Sequence, residues 1–221
     1  MHLLTSTLLV IAVLALAVFI YERSRPRPRE LMPVVVLAAL AILGRIVAMP
    51  IPNFQPATAL IVLAGYFFGR GAGLMCGLLT ALVSNMVMGQ GPWTPWQMLA
   101  WGLVGYGAGV LGEYVQKRNS DISQESTPER AAARKRTLIL QVIVVAYGTV
   151  ASLLFGMVLD LQFFIAYAWE TGWAGLITTW SMGFPMNVMH AASTLIFLGL
   201  TLVPWGRKLQ RLKTKYGLRP F

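Results

Sequence analysis

The sequence predicts an all-α integral membrane protein with seven membrane-spanning helices. Of its 221 residues, 57% are hydrophobic and only 12% are charged, whereas a soluble domain carries about 25% charged residues. The apolar residues fall into runs of roughly 20, the length that crosses about 30 Å of hydrocarbon. Apart from Arg45, the basic residues lie between these runs or after the last one.

The apolar runs place the predicted spans in chain order. The third and fourth are the shortest. The seven spans cover about 3–21, 31–49, 57–69, 72–88, 96–115, 138–158 and 185–204.

The segment 160–184, "DLQFFIAYAWETGWAGLITTWSMGF", is semi-polar, aromatic and poorly periodic. We expect a long external loop here, which a short interfacial or re-entrant helix interrupts. A further span is the alternative. An additional crossing would move the C-terminus to the other side of the membrane, and the charge distribution opposes this.

The basic residues predict the topology. Seventeen of the 18 lie on one side of the predicted spans, in the segments 23–29, 70, 117–136 and 207–219. The positive-inside rule makes this side the cytoplasm. The N-terminus is then outside, the first span is an uncleaved signal anchor and the C-terminus is cytoplasmic. The net charge of +10 therefore reflects membrane topology and does not indicate a nucleic-acid partner.

Three segments face outward on this topology: 50–56 "PIPNFQP", 89–97 "GQGPWTPWQ" and 160–184. All three are poor in charge and rich in aromatic and amide side chains. Proline fixes φ and stiffens the first two loops. Aromatic rings with a polar edge favour a neutral, partly planar ligand. The alternative is an interfacial aromatic belt, which also places Trp at membrane edges.

The stretch 45–112 resembles the substrate-binding S component of energy-coupling factor (ECF) vitamin transporters. The similarity lies in "PIPNFQPATAL", "VLAGYFFGRGAGLMCGLLTALVSN" and "GQGPWTPWQMLAWGLVG". It implies a six-helix S-component bundle over 31–205. The segment 1–30 is then an additional N-terminal transmembrane helix with a basic cytoplasmic loop, and 206–221 is a basic cytoplasmic tail.

The resemblance also implies a function. An S component binds a vitamin from outside the prokaryotic cell membrane and docks on a transmembrane coupling subunit that is driven by two ATPases. It is not an enzyme, and the chain has no G-x-x-x-x-G-K-[ST] motif for ATP. Loop 89–97 most resembles that of S components for cobalamin, which we expect as the substrate. Riboflavin, folate, pantothenate and queuosine-type precursors are the alternatives.

Polar and aromatic residues near the predicted outer ends are the candidate ligand contacts. Arg45 is a lone intramembrane cation, which is usually paired or functional. Its alternative is snorkelling to the interface, and Asp160 or Glu170 is its expected partner. Asn85 either contacts ligand or joins helices. The predicted substrate-binding residues are Arg45, Asn53, Gln55, Asn85, Gln90, Trp93, Trp96, Gln97, Trp101, Asn187 and His190.

Trp101 lies one helical turn after Gln97, so both face the expected cavity. His190 has no second intramembrane His and no nearby Cys, so we expect no metal site. We also expect no catalytic residue and no intrinsic cofactor apart from the vitamin substrate. Cys76 lies within an apolar run. It is the single cysteine of the sequence, so no disulfide can form within one chain.

Small residues along the second span are the predicted contact with the coupling subunit. They are Ala38, Ala41, Gly44 and Ala48, of which only Gly44 and Ala48 have the small-xxx-small spacing that allows close helix approach. The resemblance implies the partner contact; internal packing is the alternative.

A rhomboid-type protease needs a Ser flanked by glycines, and neither Ser84 nor Ser181 has that setting. A self-sufficient channel or secondary carrier for a small neutral solute remains an alternative, although it needs intramembrane charge and Arg45 is the sole candidate.

Overall fold

The structure, a computed structural model, describes residues 8, 11, 12, 15, 19, 20, 22–122 and 130–221, with only the backbone described over 116–122 and 130–137. The predicted first span, 3–21, lies largely outside the described residues. Six α-helices follow it, with no strand among the described residues. They are α1 Pro28–Val47, α2 Ala57–Phe68, α3 Arg70–Met88, α4 Thr94–Ile122, α5 Arg130–Phe163 and α6 Gly172–Lys215.

Three helical stretches of the described chain are long and apolar enough to cross a membrane: Pro28–Val47, Arg70–Met88 and Leu138–Lys215. Helix α2 is apolar but has only 12 residues. The predicted all-helical membrane protein is thus confirmed. The number of crossings and the orientation of the termini stay predictions.

Helix α2 lies at the centre of the bundle. Every one of its residues except Tyr66 is buried, so it is apolar all round, as expected for a helix enclosed by neighbours. Glycines allow the close approach of α3 and α4 beside it: a Cβ on Gly73 would collide with the backbone oxygen of Gly105, and a Cβ on Gly105 with Gly73. A larger residue at either position would push the two helices apart.

The C-terminal segment packs under the turn between α2 and α3. Gly69 adopts φ +104°, a conformation that favours glycine. The Phe221 N–H donates to the Phe68 carbonyl (3.0 Å), and the Gly71 N–H donates to a Phe221 oxygen (2.6 Å). Helix α6 continues to Lys215, so the first part of the basic region after residue 206 is helical.

The prediction of an external loop over 160–184 is wrong. Helix α5 continues to Phe163, the chain reverses through a π-helical turn (Phe164–Ala168) and a 3₁₀ turn (Trp169–Thr171), and α6 begins at Gly172. Most of the segment is therefore helical. Its polar and aromatic residues obscured the helical pattern.

Candidate functional site

One buried group of polar and aromatic side chains lies where all six helices meet. We call it the central cluster. Each of its members is buried. They are Arg45 of α1, Thr58 of α2, Ser84 and Asn85 of α3, Thr94, Gln97 and Trp101 of α4, Phe155 of α5 and His190 of α6.

Neutral groups hold Arg45 in the cluster. Its Nη1 donates to Asn85 Oδ1 (2.7 Å) and to Ser84 Oγ, and its guanidinium lies 4.9 Å from the ring centre of Trp101. The side chain is 8% exposed, so it is buried rather than snorkelled. Its Nε is buried and has no hydrogen-bond partner.

The expected pairing of Arg45 with Asp160 or Glu170 is not found in the described part of the chain. Asp160 Oδ2 instead accepts a 2.7 Å hydrogen bond from Asn187 Nδ2. Glu170 lies in the 3₁₀ turn and is exposed. A buried cation without a carboxylate partner carries a large desolvation penalty. Such a group is retained most readily where it has a functional role.

Asn85 connects α3 to two neighbours. Beyond accepting from Arg45, its Nδ2 donates to Thr94 Oγ1 (2.9 Å) and Gln97 Oε1 (2.8 Å). The amide is thereby satisfied within the protein, as buried polar groups require. Asn85 joins three helices in this conformation, and it bonds the same arginine whose buried Nε has no hydrogen-bond partner.

The aromatic half of the cluster centres on Trp101. Its ring stacks on Phe155 at 4.6 Å between centroids and 19° between planes. The indole Nε1–H donates to Thr58 Oγ1 (2.9 Å), which lies 2.7 Å from His190 Nε2. His190 in turn packs edge-on against Phe155. Among the described residues, no three His, Cys, Asp or Glu side chains are grouped to hold a metal ion.

Five of the eleven predicted binding residues are thus brought together: Arg45, Asn85, Gln97, Trp101 and His190. Sequence reasoning did not place four members of the cluster in the site: Thr58, Ser84, Thr94 and Phe155. Phe155 has no polar group to distinguish it from core residues, whereas Ser84 and Thr94 were adjacent to predicted positions.

The other predicted residues surround the cluster. Asn53 Nδ2 donates to the Met186 carbonyl (3.2 Å), and the Gln55 backbone N–H and carbonyl both bond Ser193 Oγ at 2.8 Å. These bonds attach loop 50–56 to α6.

In the second predicted loop, Gln90 Nε2 donates to the Leu82 carbonyl (3.1 Å). Trp93 is exposed and Trp96 half-buried. Asn187 is buried against Asp160. Their contact with a ligand stays a prediction.

The four residues of the predicted coupling face differ in burial. Ala38 and Ala41 are buried within the bundle, which favours the internal-packing alternative for these two. Gly44 and Ala48 are half-buried, and a Cβ on Gly44 would meet the Pro56 ring.

An all-helical membrane bundle with a buried polar and aromatic centre is typical of a membrane-embedded subunit that binds a small organic molecule. Residues 30–200 match the family model of the ECF-type riboflavin transporter, S component. This is more than half of the 221-residue chain, and the chain belongs to this family of transporter subunits, which are not enzymes. No curated protein and no solved structure matches the chain.

The family assignment confirms the predicted S component and corrects its subtype. The preference for cobalamin is not supported, because the matching family is the riboflavin type. Loop 89–97 prompted that preference, but stiff aromatic loops suit many planar ligands and do not distinguish between vitamins. The matched range begins at residue 30, so the predicted first span lies outside it.

Proposed function

We propose that this chain is the riboflavin-binding subunit of an ECF importer and that the central cluster is its vitamin site. The observation that carries the proposal is the convergence of all six helices on Arg45, Asn85, Trp101 and their neighbours. A family of riboflavin S components supports the choice of vitamin.

The chemistry of the cluster suits riboflavin. The isoalloxazine ring of the vitamin is uncharged, flat, apolar on its faces and lined with carbonyl and nitrogen groups along one edge. Trp101 and Phe155 offer aromatic faces for stacking. Arg45 offers a donor to a carbonyl oxygen, because its unpartnered Nε is a buried donor that a ligand oxygen would satisfy.

Binding requires a local change, because Trp101 and Phe155 stack directly on each other in this conformation. A flavin ring fits between them if they separate by one ring thickness, about 3.5 Å. We propose that rotation of the Phe155 side chain opens this space, while the hydrogen bond to Thr58 keeps Trp101 in place.

Loop 50–56 is the proposed cover of the site. Three hydrogen bonds from Asn53 and Gln55 hold it against α6, each contributing about 0.5–1.5 kcal/mol. Opening of the site requires these bonds to break. Access from outside the cell follows from the predicted topology.

We also propose assembly with the ECF coupling subunit and its two ATPases, which the family assignment supports. Ala48 is the test position, since it is half-buried near one end of α1. Ala48→Phe is expected to reduce co-purification with the coupling subunit. Ala39→Phe, an exposed position on the opposite side of the same helix, is the matched control. If both variants co-purify with the coupling subunit to the same extent, Ala48 does not belong to that interface.

A vitamin panel tests the substrate. The purified protein is melted with riboflavin, cobalamin, folate, pantothenate or no vitamin. Riboflavin alone is expected to raise the melting temperature, since a ligand that binds only the folded state stabilises it. Stabilisation by another vitamin and none by riboflavin would overturn the proposal.

A further inference from the structure

A continuous groove runs along the surface between α5 and α6. It consists of a cavity of about 880 Å³ and a second of about 340 Å³, which share Gln141, Leu202 and Val203 in their walls. We call this surface the α5–α6 groove. It is separate from the central cluster and contains none of its residues.

One end of the groove is basic. Arg207, Arg211 and Lys215 line it, and their spacing of four places them on one face of α6. Within the described residues, neither Arg207 nor Arg211 forms an ion pair with a carboxylate. Gln210 and Thr214 add neutral hydrogen-bonding groups at the same end.

The other end is apolar. Val142, Val145, Leu195 and Gly199 line it. A Cβ on Gly199 would meet nothing within 4 Å, so the missing side chain widens the groove. The helix from Leu195 to Arg207 spans about 18 Å, which is close to the half-thickness of the hydrocarbon core, about 15 Å.

We propose that the α5–α6 groove binds one anionic phospholipid. The phosphate lies among Arg207, Arg211 and Lys215, and an acyl chain lies along the apolar end past Gly199. Charge complementarity carries this choice: in the part of the chain that the structure describes, Arg207 and Arg211 have no ion-pair partner, and they lie one leaflet's depth from an apolar channel. Basic pockets that bind acidic lipid headgroups have this arrangement. A peptide partner would leave the length match unexplained.

Lipid retention by native mass spectrometry tests the headgroup end. The purified chain is incubated with phosphatidylglycerol or with phosphatidylcholine of the same acyl chains. One phosphatidylglycerol is expected to be retained in preference to phosphatidylcholine. The double variant Arg207→Gln/Arg211→Gln is expected to weaken phosphatidylglycerol binding by roughly tenfold or more.

The matched charge control is Lys208→Gln/Arg219→Gln. Both residues are exposed and outside the groove, so this variant loses the same charge and should bind like the parent. Equal loss in the two double variants would overturn the proposal, because the effect would then come from net charge.

The apolar end has its own pair of variants. Gly199→Phe fills the groove and is expected to reduce lipid retention, whereas Leu200→Phe, on the exposed neighbouring position, is expected to leave it unchanged. Melting curves confirm that each variant is folded.

Several results would contradict the inference. They are equal retention of both lipids, binding of inorganic phosphate as tight as that of phosphatidylglycerol, or a dimer or coupling-subunit complex that Gly199→Phe abolishes while lipid retention is unaffected. The last two would assign the groove to a free anion or to a protein partner.

Discussion

The hydroxyl of Thr58 on α2 lies 2.7 Å from Nε2 of His190 on α6, across 132 residues of sequence. The same oxygen accepts a hydrogen bond from the indole N–H of Trp101 (2.9 Å). A single buried hydroxyl therefore joins three helices at the centre of the bundle and fixes the orientation of the aromatic half of the site.

Thr58→Val should lower the free energy of unfolding by about 1–3 kcal/mol, because an isosteric side chain leaves the buried indole N–H without a partner. A thermal melt measures the change. Thr149→Val is the control, since its hydroxyl bonds only the Val145 carbonyl of its own helix. A Thr58→Val melt that matches the control would show that the hydroxyl is dispensable.

Gly105→Ala should destabilise the protein strongly, because the new Cβ would collide with the Gly73 backbone across the α3–α4 contact. Overpacking of a tight core costs about 1–3 kcal/mol. Gly199→Ala adds the same atom in open space and should be neutral or stabilising, since alanine favours a helix over glycine. The two melting temperatures are compared, and a Gly105→Ala variant as stable as the parent would argue against the close contact.

Trp96→Ala should weaken riboflavin binding by about 1–3 kcal/mol if the half-buried ring contacts the ligand, the usual range for a buried aromatic anchor. Trp173→Ala is the control, because Trp173 is 81% exposed at the start of α6 and fits an interfacial belt. Calorimetric titration of both variants with riboflavin measures the two affinities. If the two affinities agree with that of the parent, the Trp96 side chain belongs to the belt as well.

The polar half of the site was predictable from sequence because intramembrane polar residues are rare. Arg45 and Asn85 stood alone in apolar helices, and the spacing of Gln97 and Trp101 placed both on one face, where the structure has them. Both signals are local: one is the energetic cost of a polar side chain in the membrane, and the other is the period of the helix.

The partners of these residues were not predictable from a single chain. Asp160 was the expected counterpart of Arg45 because opposite charges attract, yet α5 directs it to Asn187. Which helix faces which depends on packing, such as the glycine contact of α3 with α4. Phe155 was not predicted for the same reason: it is an apolar residue, and only the packing of the helices brings it against Trp101.

The reversal at 164–171 was missed for a different reason. The segment 160–184 is semi-polar, aromatic and poorly periodic, which indicates a loop in water. In a membrane helix the backbone must satisfy its own hydrogen bonds, which favours a continued helix.

The central claim is that the cluster around Arg45 binds riboflavin, and a riboflavin titration followed by flavin fluorescence tests it most directly. Three folded proteins are compared: the parent, Arg45→Met and Arg70→Met. Arg70 is an exposed arginine paired with Glu113, so its variant controls for loss of one positive charge. Gln97→Leu replaces Arg45→Met if the latter does not melt cooperatively.

The account predicts saturable, one-to-one quenching by the parent and by Arg70→Met. It predicts affinity lower by roughly tenfold to a hundredfold in Arg45→Met, because a hydrogen bond from a buried charged donor is lost. A folded parent that does not bind riboflavin, or an Arg45→Met variant that binds it as tightly as the parent, would contradict the account.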